Sequence, residues 1–301
     1  MTSSMVQPLL AMARQKLLPK LISDVTAVYS TNDKVSCEQC DKSWGTTSTA
    51  PDAKSNNGLF IRRARLVFSG QIHPNVYVYI QPDFASSPGT GLNNFVQIRD
   101  LYFDLSFDKK REYRVRVGQS KIPYGFENMQ SSQNRLPLDR NDALNSAVSN
   151  ERDLGAFFYW APAKIRKQFS SLVNDGFKGS GDYGVFGLGI YNGQTANKPE
   201  LNFNRHVVAR MSYPFEIKKQ VIEPGIQAYK GQYTLSSLSS GVKTNLTKTY
   251  ADERIGGTFV LYPKPFGILA EYNVGNGPEF DKWADSITTQ RLHGGFITAS
   301  Y

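Results

Sequence analysis

From residue 60 onward, apolar side chains recur at every second position rather than in helical rows. Successive side chains of a strand point to opposite faces, so this alternation predicts strands with one apolar and one polar face. In FIRRARLVFSG (60–70), Ala64, Leu66 and Phe68 share one face, and Arg63, Arg65 and Ser69 share the other. In REYRVRVGQ (111–119), Tyr113, Val115 and Val117 oppose Arg114 and Arg116. Two more segments alternate as cleanly. Val76, Val78, Ile80, Pro82 and Phe84 oppose Asn75, Tyr77, Tyr79, Gln81 and Asp83, and Leu101, Phe103, Leu105 and Phe107 oppose Asp100, Tyr102, Asp104 and Ser106.

Further strands are expected at DLGAFFYWAP, YGVFGLGIYNG, RHVVARMSYPF, VIEPGIQAYKG, ERIGGTFVLYP, FGILAEYNVG and LHGGFITASY. The total is roughly twelve strands of about ten residues, the length of a tilted membrane strand. Residues 1–20 form an N-terminal segment with a short amphipathic helix expected over 5–21, and LISDVTAVYS (21–30) reads as a first strand. The rest, 21–301, reads as one strand domain with long aperiodic loops at 31–58 and 122–152. Turns are expected to alternate: tight at 70–72, 108–111 and 263–265, long at 85–94, 122–152, 193–204 and 234–252. Short turns at one end of the strands and long loops at the other suit an up-and-down transmembrane barrel.

Composition sharpens this reading. No apolar run approaches the ~20 residues of a membrane helix, but barrel strands leave no such run. Aromatics are 12%, with 16 Tyr and 18 Phe, as interfacial girdles require. The formal net charge is +9. It is spread along strands and no helix bears a dense basic stripe, which argues against nucleic acid and for an anionic solute or lipid surface. The N-terminus lacks the basic start and long apolar core of an export signal. An exported barrel needs one, so removal of a leader or an incomplete sequence is expected.

Four segments, in order, carry a family resemblance: FIRRARLVFSG, IRDLYFDL, VGQSKIPYGFE and ERDLGAFF followed by GIYNG. Together they resemble the phosphate-selective porin O/P family of Gram-negative outer membranes. The resemblance implies an all-β fold, a barrel of about sixteen strands. It also implies a trimer, a ladder of lumen arginines and a lysine-rich constriction. Of the expected strands about twelve are visible, so a further C-terminal part is expected. Carried onto matching positions, Arg62 and Arg63 are ladder members and Lys121 lies in the G-Q-x-K element. Strand parity adds Arg65, Arg114, Arg116 and Arg210 to the same face, but sets Arg62 with Phe60 and Ala64 on the apolar face. A bulge at that point, or a position at the polar rim, would resolve the conflict. The long segment Gly125 to Arg152 is expected to fold inward as a constriction loop bearing Glu127, Arg135, Asp139, Arg140, Asp142 and Glu151.

The expected function is passive conduction of phosphate or similar small anions, with outer-membrane lipid or lipopolysaccharide around the barrel and no nucleic-acid partner. Arginine forks match phosphate oxygens, and weak binding shared over several sites lets the ion leave. A general or carboxylate-selective porin is the nearest alternative; a secreted β-sandwich or glycan-binding protein with a basic face is another. Cys37 and Cys40 form C-x-x-C in a loop, read as a disulfide or free thiols rather than a metal site. His73, His206 and His293 lack partners at recognisable spacing and no G-x-S-x-G occurs, so neither an enzyme nor a cofactor is expected.

Overall fold

The computed structural model describes residues 18–28, 58–86, 95–137, 140–145, 147–148 and 151–301. Side chains of 18–28, 58–60, 62, 86 and 145 are excepted. The strands are β1 (Leu18–Val28), β2 (Gly58–His73), β3 (Val76–Ser86), β4 (Phe95–Ser106), β5 (Tyr113–Lys121), β6 (Arg152–Trp160), β7 (Phe186–Tyr191), β8 (His206–Ser212), β9 (Phe215–Ile217), β10 (Gln220–Thr234), β11 (Thr249–Leu261), β12 (Gly267–Asp281) and β13 (Ser286–Ser300). The helices are α1 (Phe126–Met129), α2 (Asp142–Asn145) and α3 (Ala163–Asn174). They fall into two compact units: residues 1–72 with 78–101, and residues 73–77 with 102–301.

In the first unit β1 runs antiparallel to β2, with Leu18 opposite Ser69 and Val28 opposite Gly58. Asp24 faces Arg63 and Val25 faces Ile61, so the ladder skips Arg62. This is the bulge that the parity conflict called for. Residues 18–21, expected as the end of a helix, belong to β1; the rest of that helix, Cys37, Cys40 and the loop up to Asn57 lie outside the described residues.

In the second unit the ladder runs β5, β6, β7, β8, β10, β11, β12, β13, each antiparallel to the next, with β9 beside the start of β10. The pattern of exposure is inverted relative to a water-soluble core. Leu101, Phe103 and Leu105 of β4 are exposed, whereas Asp100, Asp104 and Ser106 are buried. On β7, Phe186, Leu188 and Ile190 are exposed and Tyr191 is buried. On β8, Val207 and Met211 are exposed while His206, Arg210 and Ser212 are buried. A two-sheet sandwich packs its apolar faces together. Here those faces are open and the charged faces are covered, as in a strand whose outside meets lipid.

Three features differ from the expectation. No element is expected over 163–182, yet these residues hold α3. Its Ile165, Phe169 and Leu172 are spaced for one helical face and are buried, packing with Ala161 and Val185 or with Phe126 and Tyr262. Residues 276–291 complete a long hairpin of β12 and β13; their polar side chains on both faces hid the period of two. The first tight turn is Pro74–Asn75 rather than 70–72, because β2 continues to His73. The turns therefore alternate imperfectly: the α3 connection (161–185) lies at the short-turn end, and the β12–β13 turn (282–285) is short at the long-loop end.

Candidate functional site

β5 presents its arginines to the buried face because the period of two leaves Tyr113, Val115 and Val117 on the other side. Arg116 donates to both oxygens of Asp104 at 2.7 and 3.0 Å. Arg114 lies 3.6 Å from the same carboxylate and 2.7 Å from Asp182, which also takes Arg166 of α3 at 2.7 Å. The Arg116 guanidinium sits 3.8 Å from the centre of the Tyr102 ring. Three guanidiniums thus share two carboxylates and an aromatic face. Such fork-to-carboxylate contacts are strong and directional.

A second cluster lies where β5 gives way to the loop spanning 122–151. Its centre is Glu151, 4% exposed. Lys121 Nζ is 3.4 Å from Glu151 Oε2, Arg140 Nη1 3.6 Å and Arg135 Nη1 3.8 Å, and Arg152 donates to Oε1. Lys121 also donates to the carbonyl of Asn128 at 3.0 Å and to that of Gln130. Four cations, Lys121 and Arg152 buried and Arg135 and Arg140 half-buried, therefore surround the Glu151 carboxylate. Glu151 holds φ at 57°, a left-handed value uncommon outside glycine and often tied to functional constraint.

The loop is fixed across the polar face of distant strands. Glu271 of β12 accepts the backbone N–H groups of Phe126 and Glu127 at 2.6 and 2.7 Å. Asn273 donates to the Ala143 carbonyl at 3.0 Å, and Tyr229 of β10 to the Ala147 carbonyl at 2.6 Å. Gly125 allows the turn at its start. Its φ is 77°, and an added Cβ would lie 2.9 Å from Leu144 Cδ1. This is the local reason for glycine in the K-x-P-x-G element.

Burial alone would raise the Glu151 pKa, but Lys121, Arg140, Arg152 and Arg135 outweigh it and hold the carboxyl well below its ordinary range. Glu127 behaves oppositely. Burial pushes its carboxyl up, and the Asn141 backbone N–H, Arg135 and Arg140 only partly offset that.

The anticipated residues divide by location. Arg114 and Arg116 join the Asp104 cluster; Lys121, Arg135 and Arg140 join the Glu151 cluster, with Glu127 beside it. Arg210 stands apart from both, 3.1 Å from Glu223, which also accepts from Ser212 and Tyr262. In the first unit Arg63 and Arg65 are buried, and Arg65 Nε lies 2.6 Å from Asp83. The Arg62 side chain and Asp139 lie outside what the structure describes. Sequence reasoning counted Glu151 among the loop charges without seeing it as the hub. It missed Arg166, Asp182 and Glu271; only the Glu-Arg-Asp run opening β6 gave a local signal, for Glu151.

No curated protein matches the chain. Among solved structures, the outer membrane channel DcaP of Acinetobacter baumannii is similar, at 12% identity and a TM-score of 0.46 over 82% of this chain and 65% of that one. The chain thus spans 65% of the length of that channel. OmpT, an outer membrane protein of Vibrio cholerae folded in vitro and solved in its trimer form, is similar at 10% identity and a TM-score of 0.23 over 95% and 97% of the two chains. The family model of phosphate-selective porin O and P matches residues 45–301, and the chain belongs to that family as a transmembrane antiparallel β-barrel protein of the bacterial outer membrane.

Proposed function

We propose that this protein is a porin, working as a homotrimer, that passively conducts phosphate or similar small anions past the buried polar face of its strands. The observation that carries the reading is the Glu151 cluster, which gathers Lys121, Arg135, Arg140 and Arg152 at one place on the loop. Basic side chains concentrated along a conduction path favour anions electrostatically. Arg135, Arg140 and Arg152 offer planar forks to phosphate oxygens and Lys121 a point charge. Glu151 keeps the site from holding the ion too tightly, and conduction needs an ion that also leaves. Arg114, Arg116 and Arg210 of the second unit line the route, and their paired acids make them a graded path rather than a trap. The exposed apolar faces meet lipid and lipopolysaccharide.

Purified protein in planar bilayers tests this. In a salt gradient the reversal potential should show anion preference, and added phosphate should reduce chloride current. A cation-selective channel, or current indifferent to phosphate, would reject the reading.

A further inference from the structure

The buried face of the second unit also holds a cavity of about 490 Å³ whose walls include Arg152, His206, Asp252 and Arg254. It adjoins the Glu151 cluster through Arg152, which belongs to both. Its volume falls in the range of small-molecule sites. Its chemistry differs from that of the cluster: Asp142, Asp153 and Asp252 stand among the cations. Asp252 and Arg254 are two residues apart on β11, so they share a face at a spacing of about 6.6 Å. Asp153 is occupied locally, accepting the backbone N–H groups of Gly193, Thr195 and Leu154.

His206 forms part of the cavity wall. Its ring is 1% exposed, with Nε2 3.3 Å from Asp252, while Nδ1 finds no hydrogen-bond partner among the described residues. The fold takes trouble to seat this ring. A Cβ added to Gly193 or Gly231 would fall 2.0 or 2.3 Å from it. Tyr191 stacks on it at 5.1 Å between ring centres.

We propose that this cavity binds zwitterionic solutes of amino-acid size, as a station on the conduction path. The proposal rests on the porin reading and adds a substrate class to it. A simple anion gains from Arg254 but is repelled by Asp252; a simple cation meets the reverse. A solute carrying a carboxylate and an ammonium a few ångströms apart satisfies both charges together. Its carboxylate faces Arg254, its ammonium faces Asp252, and its side chain rests on the rings of Tyr191 and Tyr233, which also line the cavity.

The test is block of potassium chloride current in planar bilayers by L-glutamine and, separately, by inorganic phosphate. L-Glutamine should reduce the wild-type current reversibly and in proportion to occupancy. Asp252→Asn should weaken that block at least about tenfold, the cost of one charged contact, and strengthen block by phosphate. Arg254→Gln should weaken both. Where Asp252→Asn forms no channel, Arg254→Gln decides by the same loss of glutamine block. Wild-type channels that ignore L-glutamine, or variants blocked by it as well as wild type, would overturn the zwitterion site while leaving the porin reading intact. Absence of any current steps from the wild type would overturn both.

Discussion

The two charge clusters on the buried face of the second unit use the same residue types to different ends. Around Asp104 and Asp182, three guanidiniums meet two carboxylates. Around Glu151, four cations meet one. The first group nearly satisfies itself, and it braces β5 against α3. The second gathers more basic side chains about its central acid, and there we propose that an external anion rests. Counting arginines on a face therefore says little about where an anion rests; the local acid decides.

The sharpest way to break this contrast is Glu151→Gln. Removing this carboxylate takes a shared partner from Lys121, Arg135, Arg140 and Arg152, and loss of one partner from a buried ion pair costs about 3–5 kcal/mol. Unfolding in detergent by guanidinium chloride should register that loss, and millimolar phosphate should restore more stability to the variant than to the wild type. Equal response to phosphate would mean the cluster holds no anion.

Leu188→Arg probes the opposite face. Leu188 is exposed on β7, and a cation at the lipid midplane costs about 2–4 kcal/mol. Folding yield into lipid vesicles should fall. An undiminished yield would place that face in water.

Gly125→Ala should cost about 1–3 kcal/mol, since alanine is strained at a φ of 77°. Its readout is faster proteolysis within 122–151. A loop that stays protected would mean its anchorage does not depend on this turn.

The strand pattern was legible because β4, β5 and β8 obey a two-residue period that no helix mimics. The bulge at Arg62 was legible for the same reason: the arginine motif and the parity could not both hold on a regular strand. The α3 helix was missed although Ile165, Phe169 and Leu172 spell its face, since its short run of basic and polar residues and the glycines that follow it resemble a loop. The loop's tether was not legible at all. Phe126 and Glu271 are 145 residues apart, and nothing local to either announces the other. The same holds for Glu151: its partners come from both ends of the loop, and only folding gathers them.

The acids differ in sign as well. Glu151 titrates below the ordinary glutamate value of 4.5, so the unfolded chain binds more protons there. Stability from Glu151 is present above pH 4.5 and is lost as pH falls toward its lower folded value. Glu127 titrates above 4.5, so it opposes folding increasingly as pH rises from 4.5 through its raised folded value. Melting temperature against pH should therefore flatten in Glu127→Gln above 4.5 and in Glu151→Gln below it. Parallel curves for wild type and both variants would contradict the assignment.

The central claim is that anion preference comes from the Glu151 cluster and not from the matched pairs. It is tested most directly by reversal potentials of two double variants in one salt gradient. Arg135→Gln with Arg140→Gln removes two cations of that cluster and should carry the reversal potential well toward zero. Arg116→Gln with Asp104→Asn removes one charge of each sign and should leave it close to the wild-type value. A loop variant that keeps full anion preference, or a matched-pair variant that loses it, would contradict the account.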